Sequence, residues 1–147
     1  EGCSPIVKAF KQGKVNVEEW GKPRTTVSAI ADPLWGYPQD GTYALQTIRE
    51  SRGLAESCTD EEILEAMKAL AKTESIFAEP AGAAPLAGLK KMVEAGNMDR
   101  ADTVVCVVTG HGLKDLETTR KLSGKPPKIL TNATELKRLF KNGDRIV

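Results

Sequence analysis

The stretch Thr103-Val104-Val105-Cys106-Val107-Val108 (TVVCVV), followed at once by Thr109-Gly110-His111-Gly112, decides the fold class. An uninterrupted run rich in β-branched residues, with no polar alternation, suits a strand covered on both faces, as in the middle of a parallel sheet. The glycines that follow end the strand and let a ligand approach the backbone closely. Sheets of that kind carry ligands beyond the carboxyl ends of their strands. Thr109–Gly112 is therefore the first candidate site.

A second strand end lies earlier. Ile76-Phe77-Ala78 reads as a short strand and Glu79-Pro80-Ala81-Gly82-Ala83-Ala84 as a turn of small residues. A helix follows to about Ala95, with Leu86, Leu89 and Val93 inward and Gly96-Asn97 ending it. Before it, Thr59-Asp60-Glu61-Glu62 has the form of a capping box. The helix that box opens runs to about Thr73, with Ile63, Leu64, Met67, Leu70 and Ala71 as its buried stripe. Nearer the start, Ser4–Gly13 reads as a short helix with Ile6, Val7 and Phe10 on one face, and Lys14–Lys22 as a mixed strand or loop. Thr25–Ile30 is β-prone. Asp32–Asp40, with Pro33, Gly36 and Pro38, is a loop. Its Trp35 and Tyr37 either pin it to the core or line a cavity mouth. Asp40 caps a helix to about Arg52, and Leu54–Cys58 is a strand candidate. Beyond the decisive stretch come a helix around Leu113–Leu122, a break at Pro126-Pro127, a last strand at Ile129-Leu130 and a terminal helix, capped by Thr131 or Asn132, through Phe140. Strand and helix alternate, so the expected class is α/β, a mostly parallel sheet flanked by helices.

Composition narrows the function classes. The 147 residues suit one domain, with 40% hydrophobic and 28% charged residues. No apolar run approaches the roughly 18 residues that a membrane span needs. No basic-then-apolar leader opens the chain. Cys3, Cys58 and Cys106 are too scattered for a disulfide framework, which points to a reduced, cytoplasmic setting. The chain opens Glu1-Gly2-Cys3 without methionine, so it is expected to be a piece of something longer. The net charge of +1 hides an asymmetry, because residues 118–147 hold 8 basic and 2 acidic side chains. Phe140 is the one aromatic there, so a solvated helix face is favoured over a nucleic-acid surface. Neither a nucleic-acid nor a membrane partner is expected.

Motif counting excludes more than it assigns. His111 is the one histidine. No H-x-x-H or C-x-x-C is present, so no metal site is expected. There is no phosphate-binding G-x-x-x-x-G-K-[ST], and Gly110-His111-Gly112 lacks the third glycine of a dinucleotide fingerprint. What remains is the pair of strand ends. Thr109 offers a hydroxyl that can donate or accept, or it merely terminates the strand. Glu79 precedes Pro80, which favours extended backbone, and stands before a helix N-terminus that favours its ionised form. It either caps that helix or faces a ligand.

The segments Glu1–Ile6 (EGCSPI), Ala31–Ile48 (ADPLWGYPQDGTYALQTI), Glu79–Leu86 (EPAGAAPL) and Val107–Asp115 (VVTGHGLKD) resemble threonine synthases, within the fold-type II pyridoxal-phosphate (PLP) enzymes. The resemblance runs from residue 1 to about 117. It implies a tryptophan synthase β-like fold, PLP as cofactor, and conversion of O-phospho-L-homoserine and water to L-threonine and phosphate. It also implies a homodimer. Thr109 matches the family's partner of the PLP pyridine nitrogen, with Gly110 beside it. Ser28-Ala29-Ile30 matches the stretch passing beside the cofactor ring, so Ala29 and Ile30 join the cofactor-binding candidates. Glu79 matches a carboxylate near the cofactor.

The family's Schiff-base lysine, its asparagine at the PLP 3′-oxygen and its glycine-rich phosphate cup have no counterpart here. None of Lys8, Lys11, Lys14, Lys22, Lys68, Lys72 and Lys90 has the lysine's sequence context. No catalytic residue is therefore assigned. The implied organisation is residues 1–117 as the C-terminal part of the PLP-binding large domain and 118–147 as a basic extension. Catalysis would then need the N-terminal segment as partner. The alternatives are a related PLP lyase (cysteate synthase or threonine dehydratase) and a free-standing, non-catalytic binding domain.

Overall fold

The computed structural model describes residues 1–99, 101–123, 133–134 and 137. Five α-helices organise the described residues: α1 (Pro5–Lys11), α2 (Pro38–Glu50), α3 (Asp60–Thr73), α4 (Pro80–Glu94) and α5 (Leu116–Ser123). Three of them start with proline, whose fixed φ and missing N–H suit the first helical position. That preference moves two predicted boundaries. α2 begins at Pro38, with Asp40 inside its first turn. α4 begins at Pro80, so the segment expected as a turn supplies its N-cap, Glu79, and its first helical residues, Pro80 to Ala84.

α3 follows its sequence closely. Thr59 Oγ1 accepts from the Glu62 amide at 3.2 Å, and Glu62 Oε2 accepts from the Thr59 amide at 2.7 Å, completing the capping box. Its buried face is Ile63, Ala66, Met67 and Leu70. Leu64 is half-buried and Ala71 exposed, so the stripe is centred nearer Ala66 than predicted. The reason is the neighbour. α4 presents Ala81, Ala83 and Ala87, whose small side chains let the two helices approach closely. With Val27, Cys58 and Ala78 these residues make the larger core, against which Leu86 packs half-buried. Leu89 and Val93 are also half-buried. A smaller core joins Ala9 of α1, Val17, Leu34 and Leu45 of α2. Leu45 is fully buried.

The mostly parallel sheet is not seen among the described residues, where the one β-pairing is an isolated antiparallel bridge between Ala78 and His111. Thr103–Val108 forms no ladder, and Val105 is 85% and Val107 65% exposed. A strand is not a local structure: its amides and carbonyls need a neighbouring strand, and none of the described residues supplies one. Leu54–Cys58 is irregular for the same reason. Thr25–Ile30 gives way to a 3-10 turn over Ser28–Ile30, with Val27 buried in the larger core. The helix expected at Leu113–Leu122 is divided into a 3-10 turn, Gly112–Lys114, and α5. Asp115 makes the division, accepting from the Thr118 amide at 3.0 Å.

The aromatic loop is pinned to the core by a residue other than its aromatics. Leu34 (φ 60°) is its buried anchor, while Trp35 and Tyr37 are 55% and 40% exposed. Their polar atoms brace the loop, Trp35 Nε1 donating to the Trp20 carbonyl and Tyr37 OH to Asp32. Among the described residues no helix is long and apolar enough to cross a membrane. The Ile129-Leu130 strand and the terminal helix lie outside the described residues, apart from helical Ala133, Thr134 and Lys137.

Candidate functional site

The two segments that the sequence singles out as strand ends lie side by side. The Glu79 amide donates to the Gly110 carbonyl at 2.9 Å, and the Gly112 amide to the Phe77 carbonyl at 2.9 Å. These bonds flank the Ala78–His111 bridge and fasten the Thr109–Gly112 segment across the N-terminus of α4. The Phe77 ring meets His111 edge-on, with centroids 5.1 Å apart and planes at 81°. His111 Nδ1 accepts from the Leu113 amide at 3.2 Å, which starts the 3-10 turn.

Bare backbone makes this closeness possible. A Cβ on Gly82 would meet the nitrogen and oxygen of Gly110 at 3.1 Å and the nitrogen of Thr109 at 3.4 Å. A Cβ on Gly110 would fall onto the Glu79 carboxyl group, and one on Gly112 onto the Phe77 ring. Glu79 itself has extended backbone (φ −72°, ψ 162°) at the N-cap of α4 but makes no side-chain cap. Its side chain lies over Gly110 instead, so the capping role weighed for Glu79 is not the one it takes.

A polar cleft of about 430 Å³ opens beside this junction. Thr26, Ser28, Ala29, Glu79, Lys114 and Thr118 are in its wall. It therefore brings Ala29 together with Glu79 and with Lys114 and Asp115, which follow the Gly-His-Gly segment. Ile30 faces elsewhere, into a separate cleft of about 330 Å³ shared with Asp32 and Asp60. Thr109 is exposed and Gly110 half-buried, next to Gly82 but outside the wall of the polar cleft. Hydrogen bonds from the Thr118 amide and hydroxyl hold the Asp115 carboxyl below the usual carboxylate range. Among the described residues no group of His, Cys, Asp and Glu is arranged to hold a metal ion.

Two contributors carry no signature in the sequence. Gly82 looks like one more small residue until its packing on Gly110 is seen. Asp60 looks like an ordinary acid in a helix's first turn. Its carboxylate accepts from the Thr25 hydroxyl, from the Thr26 amide at 2.6 Å and from the Thr26 hydroxyl at 2.8 Å. Burial pushes its pKa up, but these hydrogen bonds outweigh burial and hold it below the usual range.

Known proteins match most of the chain. It is 44% identical over 141 residues to a threonine synthase of Methanocaldococcus jannaschii, covering 96% of this chain and 34% of that protein. It is 48% identical over 132 residues to a threonine synthase of Methanosarcina acetivorans, covering 90% of this chain and 32% of that protein. A threonine synthase of Halalkalibacterium halodurans is 43% identical over 132 residues, 90% of this chain and 34% of its own length. The chain thus spans about a third of the length of these curated relatives. The first match leaves so few residues uncovered that the likeness continues past residue 117. The model of the pyridoxal-phosphate dependent enzymes, a fold-type II family, matches residues 1–110, and on that match the chain belongs to this family.

Proposed function

We propose that this chain is the C-terminal part of a threonine synthase, which converts O-phospho-L-homoserine and water to L-threonine and phosphate. The observation that carries the reading is the junction of Glu79–Gly82 with Thr109–Gly112, because both segments belong to the motifs that carry the resemblance. The identity to three threonine synthases supports it.

The residues suit PLP. Thr109 is exposed, so its hydroxyl is accessible to a ring nitrogen, and the packing of Gly82 on Gly110 fixes the backbone beside it. When bound, PLP supplies an electron sink for charge developing on the substrate carbon. The part of this chain is binding and tuning. A hydroxyl at Thr109, unlike a carboxylate, does not force the pyridine nitrogen to hold a proton, and so sets how strongly the ring withdraws electrons. Gly110 stands next to Thr109, the turn that holds Ala29 and Ile30 passes beside the ring with Ala29 on the side of Glu79, and Glu79 places a carboxylate near it. No lysine here is proposed to carry the cofactor; that lysine belongs to the rest of the enzyme.

In the whole enzyme Thr103–Val108 is proposed as a strand of the mostly parallel sheet. Its exposed valines would be covered on both faces. Residues 1–117 are assigned to the PLP-binding large domain and 118–147 to a basic extension. A cytoplasmic homodimer acting on a small-molecule substrate completes the proposal.

The test is product analysis on the full-length protein with phosphohomoserine, phosphoserine and threonine as separate substrates. Phosphate and threonine from phosphohomoserine are expected. Conversion of phosphoserine and added sulfite to cysteate, or of threonine to a 2-oxo acid and ammonia, in place of threonine formation would move the assignment to a cysteate synthase or a dehydratase. Absence of PLP binding would reject the enzyme reading.

A further inference from the structure

We propose that Asp60 is a positioning residue for the turn Ser28–Ile30, which it holds against the cofactor site through Thr25 and Thr26. The proposal rests on the threonine synthase reading above.

The turn has little of its own to fix it. Ser28, Ala29 and Ile30 are all exposed; Ala31 N–H bonds to Ser28 O at 3.1 Å, and Ser28 N–H bonds back to Thr26 O at 3.0 Å. The residue before it, Val27, makes no side-chain cap. On the C-terminal side, the next buried residue is Leu34. The turn's position therefore depends on the short segment just before it. Val27 is 3% exposed, wedged into the core of α3 and α4, and its amide donates to Thr25 Oγ1 at 3.0 Å. Thr25 and Thr26 in turn give Asp60 two hydroxyl donors and one amide donor. An unbroken path of hydrogen bonds runs from the first residue of α3 to the residue before the turn.

Asp60 is well suited to hold that path. It stands one residue after Thr59, whose capping box with Glu62 fixes the first turn of α3. Hydrogen bonds to an ionised acceptor are roughly twice as strong as neutral ones. Three donors on one carboxylate from residues 34 and 35 positions away constrain direction as well as distance. Thr26 and Ser28 also line the polar cleft beside Glu79, so a shift of this segment would alter the cleft wall. A plain helix-dipole role would belong equally to Glu61, which shares the acidic first turn. Asp60 differs from it by the tether.

The test uses the full-length enzyme with PLP and three variants: Asp60→Asn, Thr26→Val and Glu61→Gln. The readouts are the apparent Kd for PLP, the visible circular dichroism of bound cofactor, and Tm. Asp60→Asn should raise the Kd by about tenfold, the scale of one weakened charge-assisted hydrogen bond, and alter the dichroism. Thr26→Val, which removes one exposed hydroxyl, should move both in the same direction by less. Glu61→Gln should leave both unchanged. A lower Tm for Asp60→Asn with unchanged Kd and dichroism would reduce Asp60 to a helix-end acid and overturn the proposal. If Asp60→Asn does not fold, an unchanged Kd and dichroism in Thr26→Val overturn it instead. Wild-type enzyme that binds no PLP overturns both this proposal and the reading beneath it. Wild-type threonine formation with indifferent variants overturns the positioning role alone.

Discussion

Gly82 lies against the backbone of Gly110: a Cβ at Gly82 would stand 3.1 Å from both its nitrogen and its oxygen. The contact decides the sign of a substitution. Alanine inside a helix is normally favoured over glycine by about 0.5–1 kcal/mol. At Gly82 the neighbour is backbone pinned by the Glu79–Gly110 bond, so it cannot swing away. Gly82→Ala should therefore destabilise by about 1–3 kcal/mol, the range for overpacking. Gly88, in the same helix, has no atom within 4 Å of a built Cβ. Gly88→Ala should raise the denaturation midpoint. Urea melts of the two variants check the opposition, and equal shifts would refute it.

The capping box predicts a second measurable loss. Thr59→Ala removes the acceptor for the Glu62 amide. It should cost about 1 kcal/mol, typical of an N-cap threonine. Thr59→Ser keeps the oxygen and should recover most of that. If both variants melt alike, the hydroxyl is not what starts α3.

These two cases show where the sequence was legible. Thr59 and Glu62 could be paired from their spacing because a capping box is complete within four residues. The proline starts at Pro5, Pro38 and Pro80 are local in the same way, although the latter two helices begin earlier than hydrophobic spacing indicates. Thr103–Val108 is the opposite case. Its residues state a preference for strand, but a strand exists only beside another strand, and no described residue pairs with it. Gly82 and Asp60 were illegible for a related reason. Each matters through a partner 28 to 35 residues away, and neither glycine nor aspartate in a first turn is unusual.

Acid should weaken the α3 start in a defined window. The hydrogen bond from the Thr59 amide is the largest influence on the Glu62 carboxyl; burial opposes it, and Lys91 helps to hold the group below the ordinary glutamate range. Asp60 is also lowered overall, its hydrogen bonds overcoming burial. A folded pKa below the unfolded one stabilises fully above the unfolded pKa and ceases to as pH falls through the folded value. Unfolded glutamate and aspartate titrate at about 4.3 and 3.9. Stability owed to these groups should stay level from pH 7 to about 5 and decline below about 4. Urea midpoints across that range measure it. Glu62→Gln should flatten the decline, and an unchanged acid limb would remove Glu62 from its cause.

The Thr109 hydroxyl gives the sharpest test of the cofactor assignment. Valine matches threonine in shape while lacking the hydroxyl, so Thr109→Val isolates the hydrogen bond from the packing. Thr109 is exposed and the neighbouring backbone is held by bonds that do not involve its side chain, so the fold should persist. In the full-length enzyme, losing a hydrogen-bond partner of the ring should reduce kcat/KM by about 10- to 100-fold, for a loss of roughly 1–3 kcal/mol. Thr109→Ser keeps the hydroxyl and should restore most of the rate. The paired measurement separates two roles. If Thr109 only ends a strand, valine should be at least as good as serine there, because its β-branched side chain favours the extended state. A valine variant as active as the parent, with the serine variant less stable, would place Thr109 outside the cofactor site.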